Sequence, residues 1–269
     1  MTPNYPEKIS FAHLPTPLEE MQRLSKHLGG PRLFIKRDDQ TGLATGGNKT
    51  RKLEYLVADA LAQGCNHLIT PGGPQSNHCR QTAAAAAKLG MGCSVVLSGT
   101  EPKNITGNLL LNKLLGAHIY WTGDRPRPQV MAEVAEEQRI LGHKPYLIPL
   151  GGSNVMGATG YVNAMDELGQ QLEARHLNVD FIITASSSGG TQAGMVLGAD
   201  LFNYKGEILG ISIDHEASAL KTQIAALATA TAAHLNISQL ALAHRIEVND
   251  DYLGEGYAIV GETEREAIQ

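Results

Sequence analysis

The feature that most constrains this chain is a regular alternation of short β-branched runs with longer segments of helical period. Leu68-Ile69-Thr70, Ser94 to Leu97, His118 to Trp121, Tyr146 to Leu150, Phe181 to Thr184 and Ile208 to Ile213 read as buried strands. Between them Leu53, Leu56, Val57, Ala60 and Leu61 recur at i, i+3, i+4, i+7 and i+8, which is one face of a helix. Gln81 to Leu89 is alanine-rich and predicts a second helix with close packing, and Gln129 to Leu141 and Ala158 to Ala174 also suit helices. Alternation of this kind predicts an α/β fold, with parallel sheets covered by helices on both faces. A chain of 269 residues can bury one substantial core or two modest ones.

Charge and cysteine usage narrow the function. The net charge is −5 and no block of five like charges occurs, which argues against nucleic acid and anionic membranes as partners. The apolar runs are strand-sized, well short of the ~20 residues of a membrane span. Met1 to Ser10 is polar and lacks the apolar core of a signal peptide. Cys65, Cys79 and Cys93 are odd in number and lack metal-ligand spacing. Free thiols, no metal and a cytoplasmic location are the expectation.

Glycine and proline punctuate the strand ends, where open α/β sheets gather their ligands. Gly46-Gly47-Asn48-Lys49-Thr50-Arg51-Lys52 is a glycine turn running into a helix with three cations around it. Cations oppose the dipole at a helix start, and an anionic partner would remove the conflict. On spacing alone the plainer reading, a solvated basic turn, is favoured. Gln75-Ser76-Asn77-His78-Cys79-Arg80-Gln81 is a polar cluster opening the alanine-rich helix, and ordinary capping explains only one of its members. Cys79 and His78, as neighbours at a helix start, point apart and do not form a nucleophilic pair. Ser186-Ser187-Ser188-Gly189-Gly190-Thr191 follows a strand and opens a helix, a concave nest of amides and hydroxyls suited to phosphate. A plain tight turn with a serine cap explains that loop equally well. Neither a nucleotide P-loop nor a dinucleotide fingerprint is present. A lysine, a polar cluster and a phosphate nest in one chain are together the recipe for pyridoxal 5'-phosphate chemistry on a small amino acid.

Four runs in order, GGNKTRKLE, PQSNHCRQTAAAAAKLG, PYLIPLGGSNVMGATGY and SSSGGTQAG, resemble the D-cysteine desulfhydrase and 1-aminocyclopropane-1-carboxylate deaminase family. That family is a branch of the fold-type-II, tryptophan-synthase-β-like enzymes that use pyridoxal phosphate. The resemblance extends from Leu14-Pro15-Thr16-Pro17-Leu18 to about Tyr257. It implies that Lys49 carries the cofactor as a Schiff base and then serves as the base that moves the α-proton. Asn48 would shape the cofactor pocket, Lys52 would approach the phosphate, and Asn77 would orient the ring through its hydroxyl. Ser188, Gly189, Gly190 and Thr191 would cradle the phosphate, supplemented by Ser187. Gln75, Ser76 and the amides around Asn77 and His78 would hold the substrate carboxylate, with Ser76 also relaying a proton. Tyr257 would face the substrate.

The resemblance further implies two α/β domains with the cofactor in the cleft between them, the larger from residues 1–47 and 155–269 and the smaller from 48–154, and a homodimer. The implied reaction is α,β-elimination from D-cysteine to pyruvate, ammonia and hydrogen sulfide. Ring-opening deamination of aminocyclopropane carboxylate and elimination from cysteate are the neighbouring activities. Deaminase relatives commonly read S-N-Q where this chain has Ser76-Asn77-His78, which leans the reading toward the desulfhydrase side. The family continues several dozen residues past the equivalent of Gln269, with a D-P-V-Y-x-G-K motif and the residue that contacts the pyridine nitrogen. A missing final segment is therefore expected, and with it the alternative of a non-catalytic, cofactor-binding chain. A plain phosphate-binding module that forms no bond through Lys49 is the third reading.

Overall fold

Elements follow the chain in the order that the hydrophobic period predicts, with several that it does not. The structure, a computed structural model, describes residues 3–237, 245–254, 256–257 and 259–268. Ala258 and Gln269, which belong to segments read above, lie outside the described residues. An antiparallel ribbon of β1 (Leu18–Glu20) and β2 (Phe34–Lys36) flanks α1 (Gln22–Leu28). There follow α2 (Lys49–Ala62), β3 (His67–Gly72), α3 (Asn77–Leu89), β4 (Gly92–Leu97), α4 (Gly107–Leu114), β5 (His118–Trp121), α5 (Arg127–Ile140) and β6 (Pro145–Leu147). Then come α6 (Val155–Ala174), β7 (Phe181–Ser186), α7 (Gly190–Leu201), β8 (Glu207–Ser212), α8 (Ala217–His234), β9 (Glu247–Asn249) and α9 (Glu262–Ile268).

Helical crossovers return each strand in the same direction, so two parallel sheets form, ordered β5-β4-β3-β6 and β7-β8-β9. In the first sheet Leu68 pairs with Cys93 and Tyr146, and β3 is buried along its whole length because helices cover both faces. One core gathers Leu53, Leu56, Leu68, Val95, Leu97 and Ile148, and the N-terminal residues Phe11 and Leu43 pack into it. A second gathers Val162, Met165, Val196, Leu197, Leu220 and Ile224 around the β7–β9 sheet.

α6 links the two cores. A Cβ on its Gly160 would lie 2.3 Å from the Arg51 carbonyl oxygen, so only glycine lets α6 lie this close to α2. A buried ion network pins the same junction. Arg51, 1% exposed, donates at 2.9 Å to both Asp38 Oδ1 and Glu167 Oε1, and the Tyr161 hydroxyl donates to Asp38 Oδ2 at 2.8 Å. Arg51 is thus consumed by structure, which removes one of the three cations from the glycine turn.

Three strand expectations need correction. His118 to Trp121 forms β5, but as an edge strand it is exposed or half-buried rather than buried. The run to Leu150 leaves the sheet after Leu147, because Pro149 has no N–H for the ladder and Leu150–Gly152 closes a tight 3-10 turn. Phe181 to Thr184 forms β7, but it is not buried on both faces. Phe181 and Ile183 are 54% and 64% exposed, and among the described residues no strand pairs with that edge.

Candidate active site

The carboxyl ends of β3 and β7, the Leu150–Gly152 turn and the starts of α2, α3 and α7 converge on a cavity of about 300 Å³. This is the crevice in which open α/β sheets bind ligands. Asn48, Lys49, Ser76, Asn77, His78, Tyr257 and the Ser187–Thr191 loop all line it.

Lys49 is delivered by a left-handed turn. Ala44 and Thr45 have φ of 44° and 69°, and Arg80 holds that turn through hydrogen bonds to Ala44 O, Thr45 Oγ1 and Gly46 O. A Cβ on Gly46 would sit 1.9 Å from Asp39 O, which makes glycine obligatory there. Lys49 Nζ donates to Asn48 Oδ1 at 3.2 Å, and Asn77 Nδ2 donates to the same oxygen at 3.2 Å. Burial lowers the Lys49 amine to about 8. Lys52, one turn on, is buried and donates to Gly151 O at 3.1 Å and Ser153 Oγ at 3.3 Å. Burial first, and the neighbouring Lys49 charge second, hold its amine well below the usual range. Among the described residues neither lysine meets a carboxylate. Two such amines without counter-ions form a site where a bound anion would restore their charge.

The amide nest meets that demand. Gly189, at φ +71°, precedes α7, and Gly190 N donates to Ser153 Oγ at 3.2 Å. Ser153 Oγ and Ser188 Oγ share a 2.7 Å hydrogen bond. A Cβ on Gly190 would come within 2.4 Å of Ser153 Oγ and 2.9 Å of Lys52 Nζ, and one on Gly151 within 2.5 Å of Ser188 Oγ. Three loops therefore meet at a point where only bare backbone fits, with the α7 N-terminus behind it, as a phosphate would require. Ser187 lines the cavity, but its hydroxyl already donates to Asp214 Oδ2 at 2.7 Å.

At α3 the expected cluster divides. Ser76 is the N-cap, its Oγ accepting from Cys79 N at 3.3 Å. His78 Nε2 pairs with Thr70 Oγ1 at 2.9 Å, its Nδ1 has no partner among the described residues, and burial, then Lys49 and Lys52, keep the ring neutral. Gln75 departs from expectation. Its side chain donates to Thr106 O at 3.1 Å and accepts from Asn108 N at 2.9 Å, capping α4 outside the cavity lining. Cys79 is buried with its thiol pushed up to about 12 by burial, so it is inert. Tyr257 lies against Gly73, where a Cβ would stand 3.3 Å from its ring, and burial raises its phenol.

Arg127 and Asp214 were not among the residues expected from sequence, whereas Arg80 and Ser153 lie in segments read from the sequence without an assigned role. The Gly151-Gly152-Ser153 loop carries a visible glycine signal, whereas Arg127 and Asp214 enter from the start of α5 and the end of β8 with no local signal at all.

Comparison with known proteins agrees with this architecture. The chain is 41% identical over 268 residues to a D-cysteine desulfhydrase of Klebsiella pneumoniae (strain 342), a match covering 97% of this chain and 80% of that protein. A solved structure of an ACC deaminase homologue superposes with a TM-score of 0.82 at 35% identity, over 90% of this chain and 73% of the other. Maize serine racemase, at 22% identity and a TM-score of 0.62 over 87% of this chain and 70% of its own, shares the fold. The fold is therefore of type II, tryptophan-synthase-β-like. Residues 9–269 match the model of the pyridoxal-phosphate dependent enzymes, and with these relatives the chain belongs to that family.

Proposed function

We propose that this chain is a lyase that removes the β-substituent of a small amino acid, with D-cysteine, yielding pyruvate, ammonia and hydrogen sulfide, as its leading substrate. The single observation that carries the reading is the pair of lysines that meet no carboxylate among the described residues, Lys49 at the cavity and buried Lys52 beneath the amide nest. The desulfhydrase and deaminase relatives support this substrate class.

The residues fit the cofactor. Ser188, Gly189, Gly190 and Thr191, with Lys52 and Ser153, would hold its phosphate, and Ser187 stands at the rim. Asn77 and Asn48 would flank its ring, and Lys49 would bind its aldehyde carbon. When bound, the cofactor supplies an electron sink for negative charge at the substrate Cα.

The chain supplies the rest. Lys49, with its amine at about 8, has an appreciable unprotonated fraction near neutral pH, so Nζ can take the Cα proton. The amides of Asn77 and His78, in the first turn of α3, would receive the substrate carboxylate, and the Ser76 hydroxyl would relay a proton beside them. Neutral His78, tied to Thr70, steadies that turn rather than titrating. Tyr257, resting on Gly73, would face the substrate and exclude water from that side. In this reading residues 1–47 with 155–269 and residues 48–154 form two domains with the cavity between them, and two copies form a homodimer. Three free cysteines suit a reducing, cytoplasmic setting.

The test is turnover. The purified chain loaded with pyridoxal phosphate should release pyruvate from D-cysteine, with a change in the cofactor's near-visible absorbance. A chain that binds the cofactor yet leaves D-cysteine, aminocyclopropane carboxylate and cysteate unchanged would refute the proposal.

A further inference from the structure

One cation reaches the cavity without a role in the reaction so far described. Arg127 opens α5 between Pro126 and Pro128, which restrict the backbone on either side of it. Its Nε donates to Ser98 Oγ at 2.8 Å, and Ser98 N donates to Gly72 O at 3.0 Å at the end of β3. The guanidinium is thereby anchored beside the cavity wall by one neutral hydroxyl, and among the described residues it pairs with no acid. Asp214 lines the same cavity but is engaged by Ser187 and His215. A cation at a helix N-terminus is disfavoured by the dipole, so this arginine gains nothing locally from its position.

We propose that Arg127 is a specificity-determining residue that receives negative charge at the β-end of the substrate, selecting thiolate or sulfonate over neutral β-substituents. The inference rests on the lyase reading and deepens it by naming the substrate class. A small amino acid offers three groups to the site. Its amine goes to the cofactor and its carboxylate to the α3 amides, which leaves the third group for the guanidinium. During elimination the Cα proton passes to Lys49 Nζ, and the Cβ–S bond breaks with both electrons leaving on sulfur. The resulting enamine takes a proton at Cβ, and water adds at Cα and displaces the nitrogen as ammonia, leaving pyruvate. A guanidinium beside the departing sulfur would stabilise the charge that develops there.

The test compares the cofactor-loaded wild type with Arg127→Gln and Arg127→Lys, first by calorimetric binding of 3-sulfopropionate and propionate. Neither probe has an amine, so neither can react. Wild type should prefer the sulfonate by about tenfold or more, Arg127→Gln should lose that preference, and Arg127→Lys should keep part of it. In turnover, Arg127→Gln should lower kcat/KM for D-cysteine by ~10–100-fold, with a smaller loss in Arg127→Lys. Unchanged cofactor absorbance in the variants certifies their fold. A sulfonate preference that survives Arg127→Gln overturns the inference. Arg127-dependent binding in a chain that turns over no amino acid would refute the lyase reading and leave the anion receptor standing.

Discussion

Replacing Lys49 by methionine should make the cofactor-free protein more stable. The amine falls from 10.5 to about 8 because burial disfavours its charged form. At about 1.4 kcal/mol per unit, the folded state below pH 8 carries a penalty of about 3.5 kcal/mol, an upper bound because the cavity admits some water. The sign follows from proton counting. Between pH 8 and 10.5 the unfolded chain binds more protons at this site than the folded one, so wild-type stability rises with pH across that window. Lys49→Met carries no such penalty, and the methionine keeps the apolar length of the side chain. Urea denaturation of both cofactor-free proteins from pH 6.5 to 10 should show the variant ahead by ~2–3 kcal/mol at the low end and the gap closing as pH rises. Taking the difference between the two proteins cancels every other titrating group. A variant that is less stable at pH 7, or a gap that does not change with pH, would refute the burial argument.

Gly190→Ala would drive a Cβ to within 2.4 Å of Ser153 Oγ, and cofactor affinity, read by absorbance titration, should fall at least about tenfold with the helical CD signal intact. Arg51→Met leaves Asp38 and Glu167 without their shared partner and should destabilise the chain by ~3–5 kcal/mol in chemical denaturation. The acid limb tests the same network. Burial would raise Glu167, but Arg51 and Lys36 outweigh it and hold the carboxyl at about 2, so wild type should lose stability as pH falls from 4.5 toward 2. Arg51→Met should lose most of that dependence, and a variant that keeps the wild-type acid limb would contradict the assignment.

Much of this was legible in the sequence, for physical reasons. β3 and β4 are buried on both faces and so carry consecutive apolar residues, α2 repeats Leu53, Leu56, Val57, Ala60 and Leu61 at helical spacing, and α3 is legible from its alanine run. The loops at the strand ends announce themselves because close backbone approach demands glycine, as at Gly46, Gly151 and Gly190. α8 is harder to read. Its buried stripe, Leu220, Ile224, Ala228, Thr231 and Ala232, shares alanine and threonine with its exposed face, so the contrast is faint. β1, β2 and β9 are three residues each, too short for any period to register. Within the site, the family resemblance implied a shared site for Asn48, Lys49 and Asn77 but could not say which way Gln75 turns, because that depends on α4, an element that the hydrophobic pattern did not reveal. Nor could it foresee Arg51, whose charge looks ligand-directed until Asp38 and Glu167 are seen to take it.

The most direct test of the central claim is to load the chain with pyridoxal phosphate, reduce with borohydride and map the attachment site by mass spectrometry of peptides. The account predicts one cofactor-sized adduct per chain, on the peptide that contains Lys49 and at Lys49 itself, and none in Lys49→Ala. An adduct at Lys52, or a Lys49→Ala chain that still traps the cofactor, would contradict it.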